Sequence, residues 1–192
     1  RGFGFVEMSS DEESKKAIDH ILHSKGIYQH KLIGISPGAA ESSKSRMWPL
    51  TRFASLAQWI LEHYDVHLVL IGNAQEKKLC EELISLLDEH HRKKIANLAG
   101  KTNIQEAYAL ILRLDLLVSN DSGPMHIGAC LGVKTIGLFG PNLPKRFGGV
   151  GKHCINIYKG ESCKYSPCIN VHKGQVPECL WGREHKNYIM CM

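Results

Sequence analysis

The 192 residues suffice for one sizeable core with an appendage rather than for two equal domains. Hydrophobic residues at 43% and charged residues at 22% exclude a disordered chain, and a net charge of +5 is a mild bias towards anionic ligands that does not choose among phosphate, nucleic acid and acidic lipid. The most apolar stretch, residues 107–118, is interrupted by Arg113 and Asp115 and falls short of the roughly 20 residues a membrane-spanning helix needs.

Short apolar runs alternate with segments of helical period from Lys31 onward, the signature of strands and helices building a mostly parallel sheet. Leu32–Ser36 reads as the first strand and ends in Pro37-Gly38 and a polar loop through Ser45. Residues 50–64 place Phe53, Leu56, Ala57, Ile60 and Leu61 on one helical face. A second strand over 67–71 stops at Gly72, and residues 75–90 carry Leu79, Leu83, Leu86 and Leu87 at the spacing of one long helix. A third strand over 95–98, a helix at Ile104–Leu112, a fourth strand over 115–119, a helix over 124–131 and a fifth strand at Thr135–Phe139 continue the alternation. Beyond Gly140-Pro141 one strand is expected at Cys154–Tyr158, followed by a Gly-, Cys- and Lys-rich region of little periodicity. Seven cysteines, an odd number, include Cys80 and Cys130 inside apparent core segments, which fits reduced thiols and a cytoplasmic setting.

In open α/β sheets ligands settle at the carboxyl ends of the strands. The loop after the fourth strand, Asn120-Asp121-Ser122-Gly123-Pro124, runs into a helix bearing His126 in its first turn. A helix start offers unpaired N–H groups and partial positive charge, so a pyrophosphate there meets ready donors. Gly123 permits close backbone approach, Ser122 adds a hydroxyl, Pro124 suits the first turn because its absent N–H has no partner to lose, and His126 would bind phosphate more strongly if protonated. From spacing alone, Asp121 or Ser122 serves equally well as an N-cap and His126 as a satisfied half-buried side chain.

Asp121-Ser122-Gly123-Pro124-Met125-His126, followed by Ile127 to Gly132 and by Thr135-Ile136-Gly137-Leu138-Phe139-Gly140-Pro141, resembles the signature of glycosyltransferase family 9, the family of the lipopolysaccharide heptosyltransferases. Ser36-Pro37-Gly38-Ala39 with Arg46-Met47-Trp48-Pro49 is a second match in the correct order. The resemblance implies an α/β fold, a Rossmann-like parallel sheet with helices on both faces that forms the C-terminal half of a GT-B enzyme. The implied division is an interdomain strand and helix over 1–30, a nucleotide-sugar-binding domain over 31–160 and a Cys-containing tail over 161–192. It further implies that Asp121, Ser122, Gly123 and His126 contact the donor diphosphate, that Arg46, with Lys44 as a nearby substitute, neutralises it, and that Glu76 accepts from the ribose hydroxyls; Glu76 is equally a first-turn acid favoured by the helix dipole. Trp48 reads as a packing residue, and the Thr102 turn as either pocket lining or a cap.

The expected donor is a nucleotide sugar such as ADP-heptose, with no cofactor or metal. The acceptor would be a lipopolysaccharide core, bound by an N-terminal domain that also supplies the general base. No stretch before Lys31 is long enough to be that domain, so the chain is expected to bind donor without turnover, in the cytoplasm, with peripheral contact to the inner membrane face open. Three alternatives stand beside this. Arg1-Gly2-Phe3-Gly4-Phe5-Val6-Glu7-Met8 matches most of an RNP1 strand, whose aromatics stack on RNA bases, although no nucleic acid is expected as partner. A GT-B nucleotide-sugar epimerase would share the architecture. Cys163, Cys168, Cys179 and Cys191 could hold a metal, but their spacing is too wide for a paired CxxC ribbon.

Overall fold

A computed structural model describes residues 12–39 and 41–168 of the chain. The RNP1-like segment, Cys179 and Cys191 lie outside the described residues.

Helix α1 (Glu12–Ser24) leads into β1 (Leu32–Ser36), a short 3-10 helix (Glu41–Arg46) and α2 (Leu50–His63). Next come β2 (His67–Leu70), α3 (Lys77–Ser85), α4 (Glu89–Arg92), β3 (Ile95–Asn97), α5 (Ile104–Leu112), β4 (Leu116–Asn120), α6 (Gly123–Cys130), β5 (Thr135–Phe139), α7 (Pro144–Phe147) and β6 (Cys154–Tyr158). The six strands are all parallel in the order β3-β2-β1-β4-β5-β6. Strand order reverses between β1 and β4, whose ends abut at Ser36 and Ser119, and a reversal of this kind opens a crevice for ligand.

The sheet alternates its side chains between two cores, as a strand period of two dictates. Leu32, Val69, Ala96 and Leu117 join Ile18 and Leu22 of α1 and Leu110 and Ile111 of α5. Ile35, Leu68, Leu70 and Val118 join Phe53, Ala57 and Leu61 of α2 and Cys80 and Leu83 of α3. Helices thus stand on both faces. On the α2 side, however, an apolar recess of about 630 Å³ remains between that helix and the outer strands, lined by Ile33, Leu116, Val118, Ile136, Leu138 and Ile157.

Four expectations need correction. The single helix over 75–90 is two, α3 and α4, because Leu86 and Asp88 end one helix and begin the next; Leu87 at that corner is buried while Leu86 is 47% exposed. Cys130 occupies the exposed last position of α6 rather than the core, whereas Cys80 is buried as expected. The residue that caps α5 is Asn103, not Thr102: its side chain accepts from the Glu106 N–H at 2.9 Å while Glu106 Oε2 accepts from the Asn103 N–H at 2.8 Å. The weakly periodic stretch after Pro141 contains the helical turn α7, started by Pro144 within its first two positions. Among the described residues no helix is long and apolar enough to cross a membrane, and no group of three or more His, Cys, Asp or Glu side chains could hold a metal ion. Cys163 is buried, Cys168 half-buried, and neither is in a disulfide.

Candidate functional site

Three loops converge at the carboxyl ends of β1, β4 and β5. Asn120, the last residue of β4, is fully buried and ties both ends of the first loop to the sheet: its Nδ2 donates to the Pro37 carbonyl at 2.7 Å and its Oδ1 accepts from the Trp48 N–H at 3.0 Å. Asp121 is 3% exposed. Arg46 Nη1 sits 3.5 Å from its Oδ2 and donates to its carbonyl oxygen at 3.1 Å, while Asn142 from the third loop donates its amide N–H to Oδ2. Trp48 packs edge-on against Phe53, with ring centroids 5.0 Å apart, in the packing role expected of it.

At the start of α6, Ser122 holds the N-cap position in extended conformation, but its hydroxyl lies 3.1 Å from Ser119 Oγ and makes no capping bond to the first turn. The first-turn N–H groups are therefore not consumed by a side-chain cap, and the Ser122 hydroxyl is engaged with Ser119 instead. A Cβ built on the exposed Gly123 would meet nothing within 4 Å, so the fold itself makes no steric demand for glycine there. His126 is exposed on the same turn.

A cleft of about 630 Å³ opens between the first loop and the loop after β2. Gly38, Lys44, Met47, Glu76 and Leu79 line it, and Arg46 is not among its lining residues. Glu76 has a structural duty too, since Oε2 accepts from the Asn73 N–H at 2.8 Å and closes the turn into α3. Lys44 and Glu76 are thus brought together in one cleft, Arg46 and Asp121 in one knot beside it, and Ser122, Gly123 and His126 at the helix start.

The family model for Glycosyltransferase family 9 (heptosyltransferase) matches residues 5–173. The chain belongs to that family. Lipooligosaccharide heptosyltransferase 2 of Haemophilus influenzae is 39% identical over 141 residues, 73% of this chain and 39% of that relative. Its counterpart in Haemophilus ducreyi is 30% identical over 178 residues, 92% of this chain and 49% of the relative. The solved ADP-heptose lipopolysaccharide heptosyltransferase II of Escherichia coli superposes with a TM-score of 0.69 at 28% identity, covering 77% of this chain and 43% of that one. This family 9 chain therefore spans about a third to one half of the relatives it matches, and its Rossmann-like fold is that of the GT-B heptosyltransferases.

Asn120 and Asn142 are residues of this junction in the family 9 chain that the sequence pattern does not single out. Asn120 carried a faint signal, an amide at the predicted end of a strand before the Asp-Ser-Gly turn. The significance of Asn142 emerges only once β4 and β5 lie side by side.

Proposed function

We propose that this chain is the donor-binding part of a heptosyltransferase, with residues 31–160 as the nucleotide-sugar domain. The donor is a nucleotide-diphosphate sugar, ADP-heptose or one like it, and the acceptor a lipopolysaccharide core held by another part of the whole enzyme. The observation that carries this reading is the uncapped start of α6 beside the Arg46–Asp121 pair, at the point where strand order reverses.

The diphosphate is taken to sit over Gly123, where the N–H groups of the first turn, the Ser122 hydroxyl and the exposed His126 ring can donate to its oxygens. Arg46 and Lys44 supply positive charge from the first loop, and Glu76 meets the ribose hydroxyls across the cleft. Preorganised donors at the phosphates stabilise charge as it builds on the leaving group, while the acceptor oxygen forms its bond to the anomeric carbon from the opposite side and the donor configuration inverts. The base that takes the acceptor proton is expected outside this chain, so the chain alone binds donor without turning it over. No cofactor is assigned beyond the nucleotide sugar, and a cytoplasmic site with peripheral inner-membrane contact belongs to the same proposal.

Calorimetric titration of the chain with ADP, UDP and a short single-stranded RNA tests this reading. ADP should bind, UDP more weakly and RNA not at all. Saturable RNA binding with no heat from ADP defeats the proposal.

A further inference from the structure

Two loops grip the Asp121 carboxylate at once, Arg46 from the loop after β1 and Asn142 from the loop after β5. A carboxylate only accepts, so the Asn142 amide is fixed with Nδ2 towards Asp121 and Oδ1 away from it. An unhindered Arg and carboxylate favour two parallel hydrogen bonds at short distance. Here Arg46 makes a single approach to the carboxylate, at 3.5 Å, and its clear hydrogen bond, at 3.1 Å, goes to the Asp121 backbone oxygen instead. The oxygen that Arg46 approaches, Oδ2, is the one the Asn142 amide already occupies.

The junction also leaves buried polar atoms open. Asn142 is 3% exposed, yet its Oδ1 has no hydrogen-bond partner among the described residues, and Arg46 Nε and Ser45 Oγ are buried and equally unpartnered. An open buried polar atom is costly, and although His67 Nδ1 and His91 Nδ1 are also open elsewhere, three at one junction call for a shared partner.

We infer that Asn142 is a positioning residue for the donor diphosphate, resting on the reading above. By holding Asp121 Oδ2 with a neutral donor it prevents the carboxylate from closing round the guanidinium as a two-pronged ion pair. Arg46 stays anchored through the Asp121 carbonyl, with its charge incompletely neutralised and its remaining N–H groups left for phosphate oxygens. Asn142 itself touches no phosphate and acts through Asp121 and Arg46.

The test compares the wild-type 192-residue chain with Asn142→Leu, which keeps the branching at Cγ and the number of heavy atoms but loses the donor, and Asn142→Thr, whose hydroxyl can donate to Asp121 again. Each is titrated with ADP and with adenosine, which lacks the diphosphate. Asn142→Leu should bind ADP about tenfold more weakly and adenosine unchanged, and Asn142→Thr should recover most of the loss. Should the leucine variant fail to fold, Asn142→Ala reads the same role, because it too lacks the donor and should weaken ADP by a similar factor while leaving adenosine unchanged. Equal losses for ADP and adenosine, or ADP binding untouched in the folded variants, overturn the inference while leaving the donor site in place. A wild-type chain that does not bind ADP defeats the functional reading itself.

Discussion

Gly123 has an open exterior: nothing stands within 4 Å of where its Cβ would project, and it lies at the first position of α6 with helical neighbours on one side. Glycine in such a position costs backbone entropy that alanine would not. If the fold alone set this position, Gly123→Ala would be neutral or stabilising by up to about 1 kcal/mol. With a diphosphate resting on the helix start, the added methyl obstructs the close backbone approach. Gly123→Ala should therefore keep or raise the thermal midpoint while weakening ADP binding by an order of magnitude or so, read by scanning calorimetry and titration on the same sample; a variant with unchanged ADP affinity takes the diphosphate off this turn. Asp121, Ser122 and Gly123 are candidates that the sequence offers together, because they stand in one turn before a helix start. Asn120 and Asn142 are not, since the first works on a carbonyl 83 residues away and the second on a carboxylate 21 residues away, contacts that no local pattern announces. The apolar neighbours of Cys130 do not reveal that this last residue of α6 faces outward.

At the scale of elements the strands were readable, since parallel strands buried on both faces are continuous apolar runs. Helix α2 was readable from its periodic stripe. The break between α3 and α4 was not, because Leu83, Leu86 and Leu87 keep helical spacing across a corner that only tertiary packing bends. Packing of α3 also has a consequence that the sequence could not show. Burial, with the Glu76 and Glu81 charges adding to it, pushes the Cys80 thiol from 9.0 up to about 12. In the unfolded chain that thiol loses its proton above pH 9.0, while in the folded chain it keeps it until about 12. Between those values the unfolded state binds fewer protons, so stability falls as pH rises, by at most roughly 1.4 kcal/mol per pH unit from this group. Urea midpoints measured at pH 8 and pH 10.5 should drop further for the wild type than for Cys80→Ala. The cavity left by alanine lowers both of the variant's midpoints and cancels in the difference. Identical pH slopes in the two proteins would show that Cys80 does not titrate this way.

For the whole molecule the two faces of the sheet are unequal. Among the described residues one is covered by α1, α5 and α6; on the other, α2 and α3 stand over the β1–β3 side and leave the apolar recess beside β4, β5 and β6. Edge strand β6 continues that recess outward, with Ile155 64% and Ile157 45% exposed, and Trp59 and Tyr64 on its far rim are about half exposed. Parallel sheets in stable proteins are covered on both faces, and a contiguous apolar surface in water drives association. In isolation the chain should therefore self-associate as its concentration rises. Replacing Ile155 and Ile157 together by Lys should suppress this, because both side chains already face solvent and their loss costs the fold only about 0.5 kcal/mol each. Sedimentation velocity over a hundredfold concentration range should show the wild type shifting to heavier species and the double variant remaining a monomer, with thermal midpoints within a few degrees of each other. A wild type that stays monomeric throughout would mean that the recess is sealed in solution. A double variant that still associates would move the sticky surface away from β6.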